Sequence, residues 1–444
     1  MTDESRLTRR GALALGGAAL TAGCSGLGGL FGPNEVRLDA SAVREAASGE
    51  VPSVTRPLPV EVAAAHVDAS RESAESDLDG VPLPLSAEEL PNGTMRRVLA
   101  NEVEHARAVL ESASEAAGTR ERLDSLRHAR EHTHYVAAAW AYTNDEATAD
   151  GVRDRAGTVR ADVEAFRGDR TYVGEDPVRV VLVGDAVESW TGAARRYATL
   201  DDPTFRYRPD SALGVGERAG EVEHGRAYLA DAIHVDEQFS ASLSNPPSMR
   251  ETLTDARTSL TETVESRLVD VPDDVDERND LVETDRDLDG TPARVALDEL
   301  WSNLLGDREP TDDVARDVVE RFRDLAFAEA FLLLRERVEN GEEFGVTSAE
   351  DIGDRREAAV SAVENALEGS PDRRLARRIL ANEVWHLTDV DEQLGGWENT
   401  VVADSLHWEI GDYLSLTMLA RGVPPACRTA LDALGVDSQT SGSM

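Results

Sequence analysis

The chain has 444 residues, with 46 basic against 86 acidic side chains, a formal net charge of -40, two cysteines and 5% aromatic residues. Two or three domain-sized units are expected at this length, and 41% hydrophobic residues can fill a packed core, so wholesale disorder is excluded. Lysine is absent and the acids run along the whole chain; such a surface repels phosphate backbones, and no basic stripe with interleaved aromatics offsets it, which excludes nucleic acid as a partner.

Self-repulsion of this size is tolerable where molar salt shortens the Debye length to about 3 Å. The composition resembles that of proteins from extreme halophiles; GC-rich codon bias alone would also remove lysine.

In chain order, the first segment reads MTDESRLTRRGALALGGAALTAGCSG. Arg9 and Arg10 precede an uncharged run of small and apolar residues that reaches Cys24. This resembles a twin-arginine export signal ending in a lipobox, Thr21-Ala22-Gly23-Cys24, with threonine at its first position and Leu20 one place further out. The resemblance implies a signal peptide over 1–23, lipid attachment at Cys24, and a membrane-anchored protein on the extracytoplasmic face. The run is also long enough to span a bilayer as an uncleaved helix, although its glycines make a poor one. With Cys24 lipidated, Cys427 is left alone and no intrachain disulfide forms.

Residues 24–57 are rich in Gly, Pro and Ser and read as a flexible tether with one short helix near 35–47. The stretch LPVEVAAAHV over 58–67 fits a strand or the start of a helix. Beyond it, capping residues and three- and four-residue apolar spacing predict helices near 95–117, 120–148, 151–167, 177–199, 211–243, 249–268, 292–305, 312–340, 348–368, 372–394, 399–420 and 424–434. Thr94, Thr119, Thr291, Thr311 and Thr347 or Ser348 stand at N-cap positions, Pro177 and Pro292 at first helical positions, and Ser248-x-x-Glu251 reads as a capping box. LAFAEAFLLL over 325–334 is too short for a membrane span and reads as a buried core helix. The fold class is therefore all-α: an N-terminal bundle over 58–245, a helix and acidic linker over 246–291, a C-terminal bundle over 292–434 and a disordered tail over 435–444. Alternating strands and helices are missing, which argues against two-lobed α/β solute capture.

The sequence repeats itself. RRVLANEVEH over 96–105 recurs as RRILANEVWH over 377–386, and a partial copy, GEVEH, lies at 220–224. A duplicated helical-hairpin unit predicts packed, pseudo-symmetric bundles. Six histidines have an acid three residues before them, at Glu102/His105, Glu131/His134, Glu221/His224, Asp231/His234, Glu383/His386 and Asp404/His407. Residues three apart share a helix face, and carboxylate with imidazole suits iron, manganese or zinc. Glu-x-x-His on a duplicated helix resembles the ligand pairs of ferritin-like bundles. That resemblance puts a metal site on Glu102, His105, Glu383 and His386, facing one another across a pseudo-twofold, with Glu221 and His224 next in rank. The His-x-x-Glu order at His128/Glu131 and His234/Glu237 is similar to the imelysin-like family of exported bundles, without the glycine that precedes it there. In an acidic chain the same pairs also arise as ordinary ion pairs on helix surfaces.

Cys427 lacks the setting of a nucleophile, and Trp140, Trp190, Trp301, Trp385, Trp397 and Trp408 read as core or interface filling. Two functions follow: a non-catalytic, lipid-anchored scaffold that meets protein partners at the cell surface, or an exported metal-binding protein or oxidoreductase.

Overall fold

The computed structural model describes residues 35–116, 118–200, 204–271, 281–305 and 309–436. The expected signal peptide over 1–23, the expected lipidation site Cys24, residues 272–280 of the acidic run and the tail beyond 436 lie outside them.

The chain is all-α, in two packed bundles. A short strand β1 (Arg37–Leu38) and helix α1 (Ala40–Ala46) come first. The N-terminal bundle then follows as α2 (Ala64–Ser76), α3 (Gly93–Glu115), α4 (Thr119–Thr143), α5 (Ala149–Asp169), α6 (Pro177–Tyr197) and α7 (Ala212–Ala241). The second bundle comprises α8 (Arg250–Arg267), α9 (Pro292–Ser302), α10 (Val314–Glu339), α11 (Ala349–Gly369), α12 (Arg373–Leu380) and α13 (Trp385–Gly395). It closes with β2 (Val401–Val402), a 3-10 turn (Ala403–Leu406) and α14 (His407–Ala433). Among the described residues no helix is long and apolar enough to cross a membrane.

In the first bundle α7 packs on α4, α6 and α5, while α4 packs in turn on α3 and α2. In the second, α14 lies against α9, α10 and α11. The bundles meet where α6 crosses α10, and one hydrophobic core runs through both. Gly184 makes that crossing close, since a Cβ there would stand 2.4 Å from the Cβ of Ala315. Glu188, buried on α6, accepts the N–H of Arg316 at 2.6 Å in the first turn of α10, so one half satisfies an orphan helix donor of the other. The LAFAEAFLLL stretch lies within α10, with Leu325, Phe327, Phe331 and Leu334 buried. Each such side chain contributes about 1.5–3 kcal/mol on burial.

Several helix starts follow local chemistry. Asp176 and Thr291 cap α6 and α9 with proline next in line, and Ser348 with Asp351 forms a full capping box. Elsewhere the expected cap is displaced. Asn92 and Gly118 precede α3 and α4, Asp313 precedes α10, and the Ser248-x-x-Glu251 box does not form, because α8 starts after Met249 without a side-chain cap.

Four expectations need correction. The tether is not free over 35–57: β1 pairs antiparallel with β2, Val43 of α1 is fully buried, and the Arg356 guanidinium donates to the carbonyl of Gly49 at 2.9 Å. The apolar residues interleaved among its small ones are what dock it. The helix and linker over 246–291 belong to the second bundle, because α8 lies along α10 and Leu281 and Val282 enter the core. The helices expected at 399–420 and 424–434 are one helix, α14, which continues through Pro424 and Pro425. Each proline removes a donor, but the flanking Val423, Ala426 and Cys427 are buried and hold the turn. Finally, the helix expected at 372–394 breaks between α12 and α13. The decapeptide that is continuous helix in α3 is interrupted in its second copy by tight turns, with Glu383 donating its N–H to Leu380 and His386 to Glu383.

Candidate metal centre in the N-terminal bundle

Seven of the chain's nine histidines, His66, His105, His128, His132, His134, His224 and His234, lie on α2, α3, α4 and α7. Glycine is what brings α7 so close to α4. A Cβ at Gly216 would lie 2.8 Å from the carbonyl oxygen of Tyr135, and one at Gly220 2.9 Å from that of Glu131; on the other side, Gly225 faces the carbonyl of Ala194 on α6 at 2.8 Å. Polar side chains from neighbouring helices therefore meet across short gaps.

Two groups of metal-ligand type result, each with two imidazoles and one carboxylate: Glu102, His105 and His132, and His128, Glu131 and His224. In the first, Glu102 Oε2 lies 2.7 Å from His132 Nδ1, and the His105 and His132 rings stand 5.5 Å apart. In the second, Glu131 Oε2 lies 3.3 Å from His128 Nδ1 and 2.7 Å from His224 Nδ1. His128 and His132 are one turn apart on α4, so the two groups are neighbours.

His224 is 1% exposed. Its ring is stacked between Tyr197, at 4.3 Å, and Tyr228, at 5.0 Å, with His128 edge-on at 4.7 Å. Glu131 Oε2 faces Nδ1 of this ring at 2.7 Å, and its Nε2 has no hydrogen-bond partner. A buried polar atom without a partner is costly, and native proteins rarely leave one without a reason. Burial pushes the His224 imidazole below its ordinary pKa, towards the neutral form that ligates metals. Burial opposes the charge on Glu131, but its hydrogen bond with His128 and the nearby His224 hold this carboxyl far below the usual range. His128 is raised by its hydrogen bond to Glu131.

The surroundings lock these helices. Asp231, 1% exposed, receives Arg127 Nη1 at 2.6 Å and lies 2.7 Å from His66 Nε2. The Arg127 guanidinium sits 4.1 Å over the Tyr228 ring. Arg130 makes two bonds to Glu223, at 2.9 and 2.6 Å. His234 Nε2 accepts the N–H of Ala63 at 3.2 Å, and His134 faces Asp77 at 3.2 Å.

Two families match the chain. Residues 65–246 match the one described as Domain of unknown function (DUF8262), and residues 250–432 the one described as Domain of unknown function (DUF8264). Neither the curated proteins nor the solved structures give a match. Both histidine groups fall within the first matched segment.

The predicted ligands are only partly united. Glu102 and His105 do converge, but with His132 of α4. Glu383 and His386 stand 3.7 Å from each other, with Arg323 3.9 Å from Glu383, and join neither group, so the pseudo-twofold arrangement does not form among the described residues. Burial raises the Glu383 carboxyl. His224 belongs to a site, yet its carboxylate is Glu131 from another helix, and Glu221 is outside both groups. Sequence reasoning missed His132 and Glu131 as ligands; the signal was the run His128-x-x-Glu131-His132, whose first half forms the imelysin-like order. Cys427 is a buried free thiol, pushed up to about 12 by burial.

Proposed function

We propose that this protein is an extracytoplasmic, lipid-anchored metal-binding protein whose N-terminal bundle holds a divalent transition ion on His128, Glu131 and His224. Glu102, His105 and His132 form an adjacent position of the same composition. The single observation that carries the reading is His224: a buried imidazole, fixed by aromatic stacking, with Nδ1 facing the Glu131 carboxylate and Nε2 without a hydrogen-bond partner. A tetrahedral ion with bonds of about 2.0–2.1 Å separates its donors by about 3.3 Å, which the pair His128–Glu131 matches, while the pair His224–Glu131, at 2.7 Å, would open by about half an ångström to admit the ion. Two imidazoles and one carboxylate suit zinc, iron(II) or manganese, and three protein donors leave a coordination position open. Such a centre takes up water or a small ligand, unlike a closed structural site.

The anchor part of the proposal rests on the Arg9-Arg10 signal and Cys24, and the acidic, lysine-free surface supports a salt-rich exterior.

Elemental analysis of the full chain purified in molar salt tests the metal reading. Near-stoichiometric zinc, iron or manganese, lost in His224→Ala and kept in His386→Ala, is the expected result. Metal-free protein whose melting temperature ignores all three added ions would overturn it, and would return the first bundle to the role of a non-catalytic interaction module.

A further inference from the structure

Among the described residues, large apolar side chains that stay exposed are few, and three of them lie on the segments that lead into and out of the β1–β2 ribbon. Val36, Trp397 and Trp408 are 40%, 38% and 56% exposed. All three flank the β1–β2 ribbon. Val36 accepts the N–H of Ala403 at 2.9 Å, Trp397 ends the turn that leads into β2, and Trp408 is in the first turn of α14 just after it. Arg44 of α1 donates to the carbonyl oxygens of Gly395 and Trp397, at 3.1 and 2.8 Å, so this turn is clamped to the segment that carries β1.

The same ribbon is where the chain arrives from Cys24. Eleven residues separate Cys24 from Val36, which limits the gap between a lipid on that cysteine and the ribbon to about 40 Å at full extension. A lipid on Cys24 fixes the distance of the ribbon from the bilayer but not its orientation, which a second contact would set. Indole rings suit that contact, being apolar bodies with one polar edge that favour the membrane–water boundary. A short link keeps them at high effective concentration beside the bilayer, so two rings suffice where a free protein would need many. The rim of the ribbon carries exposed Glu35, Glu398 and Asp404 against Arg37 and Arg44, which argues against attraction to anionic headgroups and for an apolar contact that strengthens as salt rises.

We infer that the β1–β2 ribbon, through Val36, Trp397 and Trp408, rests on the surface of the membrane to which Cys24 is tethered. This rests on the lipid-anchor part of the proposed function, and the two can fail separately.

The test uses the full chain on phosphatidylglycerol vesicles whose acyl chains carry bromine near the headgroups, in molar KCl, with tryptophan fluorescence as the readout. Quenching in the wild type, reduced about threefold or more in Trp397→Ser/Trp408→Ser and retained in Trp385→Ser, is the expected pattern for a tethered contact of two rings. Trp385 is as exposed as Trp408 but lies at the far end of α13, so it controls for mere exposure. A lipid-bearing chain without quenching, quenching unaltered by the double substitution, or a vesicle-free dimer lost in that variant would each overturn the inference. Mass spectrometry of Cys24 reads the anchor independently: an unmodified cysteine with the quenching pattern intact sinks the anchor and leaves the ribbon contact standing.

Discussion

His224 on α7 and Glu131 on α4 approach to 2.7 Å because Gly220, one turn before His224, lies against the carbonyl oxygen of Glu131 itself. The residue that supplies the carboxylate is also the one whose backbone the glycine accommodates. Gly220→Ala puts a methyl group 2.9 Å from that oxygen, and backbone cannot swing aside as a side chain can. The expected cost is about 1–3 kcal/mol of stability, by overpacking, together with weaker metal binding as the helices separate. Gly168→Ala, in α5 with open space around it, is the control, and is expected to be neutral or to stabilise by up to about 1 kcal/mol. Urea titrations of both variants check the contrast; equal effects would mean that α4–α7 proximity is not set by glycine.

Asp231 gives a second prediction. It is the buried carboxylate to which Arg127, 2% exposed, and His66 both turn. Replacing it with alanine leaves the buried guanidinium with only the half-exposed Asp124, 2.7 Å from its Nη2, for which a loss of about 3 kcal/mol is expected. Removing both charges, as in Arg127→Met/Asp231→Leu, is expected to recover most of that loss, because it eliminates the desolvation penalty along with the attraction. A double variant no more stable than Asp231→Ala would show that the pair does more than neutralise itself.

The helices were legible where a face is buried throughout. α6 and α9 begin with Pro177 and Pro292, the residues that with the apolar spacing mark both starts in the sequence. What escaped was decided by contacts distant in sequence. The decapeptide at 96–105 and 377–386 differs at two positions, yet one copy is helix and the other breaks; local propensity is nearly the same, so packing decides. Arg378 is drawn to Asp185 on α6 at 2.7 Å, and Leu387, Val390 and Leu394 bury separately after the break. For the same reason the histidines misled. Spacing of three along one helix nominates each histidine's own upstream acid, whereas His224 faces Glu131 of α4 and His134 faces Asp77 just after α2; His132, with no acid three residues before it, faces Glu102 of α3. The tryptophans split too: Trp190 and Trp301 fill the core as expected, while Trp385, Trp397 and Trp408 are exposed.

The charge of -40 yields a third prediction. Its repulsion is spread over the folded surface and is relieved by screening; the Debye length falls from about 10 Å at 0.1 M to about 3 Å at 1 M salt. Melting temperature is expected to rise steadily with KCl across that range and beyond it. Acid-to-neutral substitutions on the exposed faces are expected to flatten the dependence, whereas neutral variants of buried pairs such as Arg130–Glu223 are expected to leave the slope unchanged while lowering stability. A melting temperature insensitive to salt would remove the halophilic reading of the acidic surface and leave codon usage as the account of the missing lysine.

Cys427 sets the sign of a pH dependence. Burial raises its thiol from an ordinary value of 9.0 to about 12, so the folded chain keeps the proton where the unfolded chain releases it. Its contribution to stability is therefore complete below pH 9.0 and is lost progressively as pH rises towards 12. Below pH 9.0 the thiolate is scarce and covered by α14's own packing, so a disulfide reagent is expected to label the native protein only at the rate of unfolding. Adding denaturant should expose the thiol to immediate reaction. Cys427→Ala is expected to remove the component of the alkaline decline that lies between those two pH values, at the cost of a small cavity worth about 1 kcal/mol. Rapid labelling of the native chain at neutral pH would mean that the helix opens around Pro424 and Pro425 far more readily than its buried flanks imply.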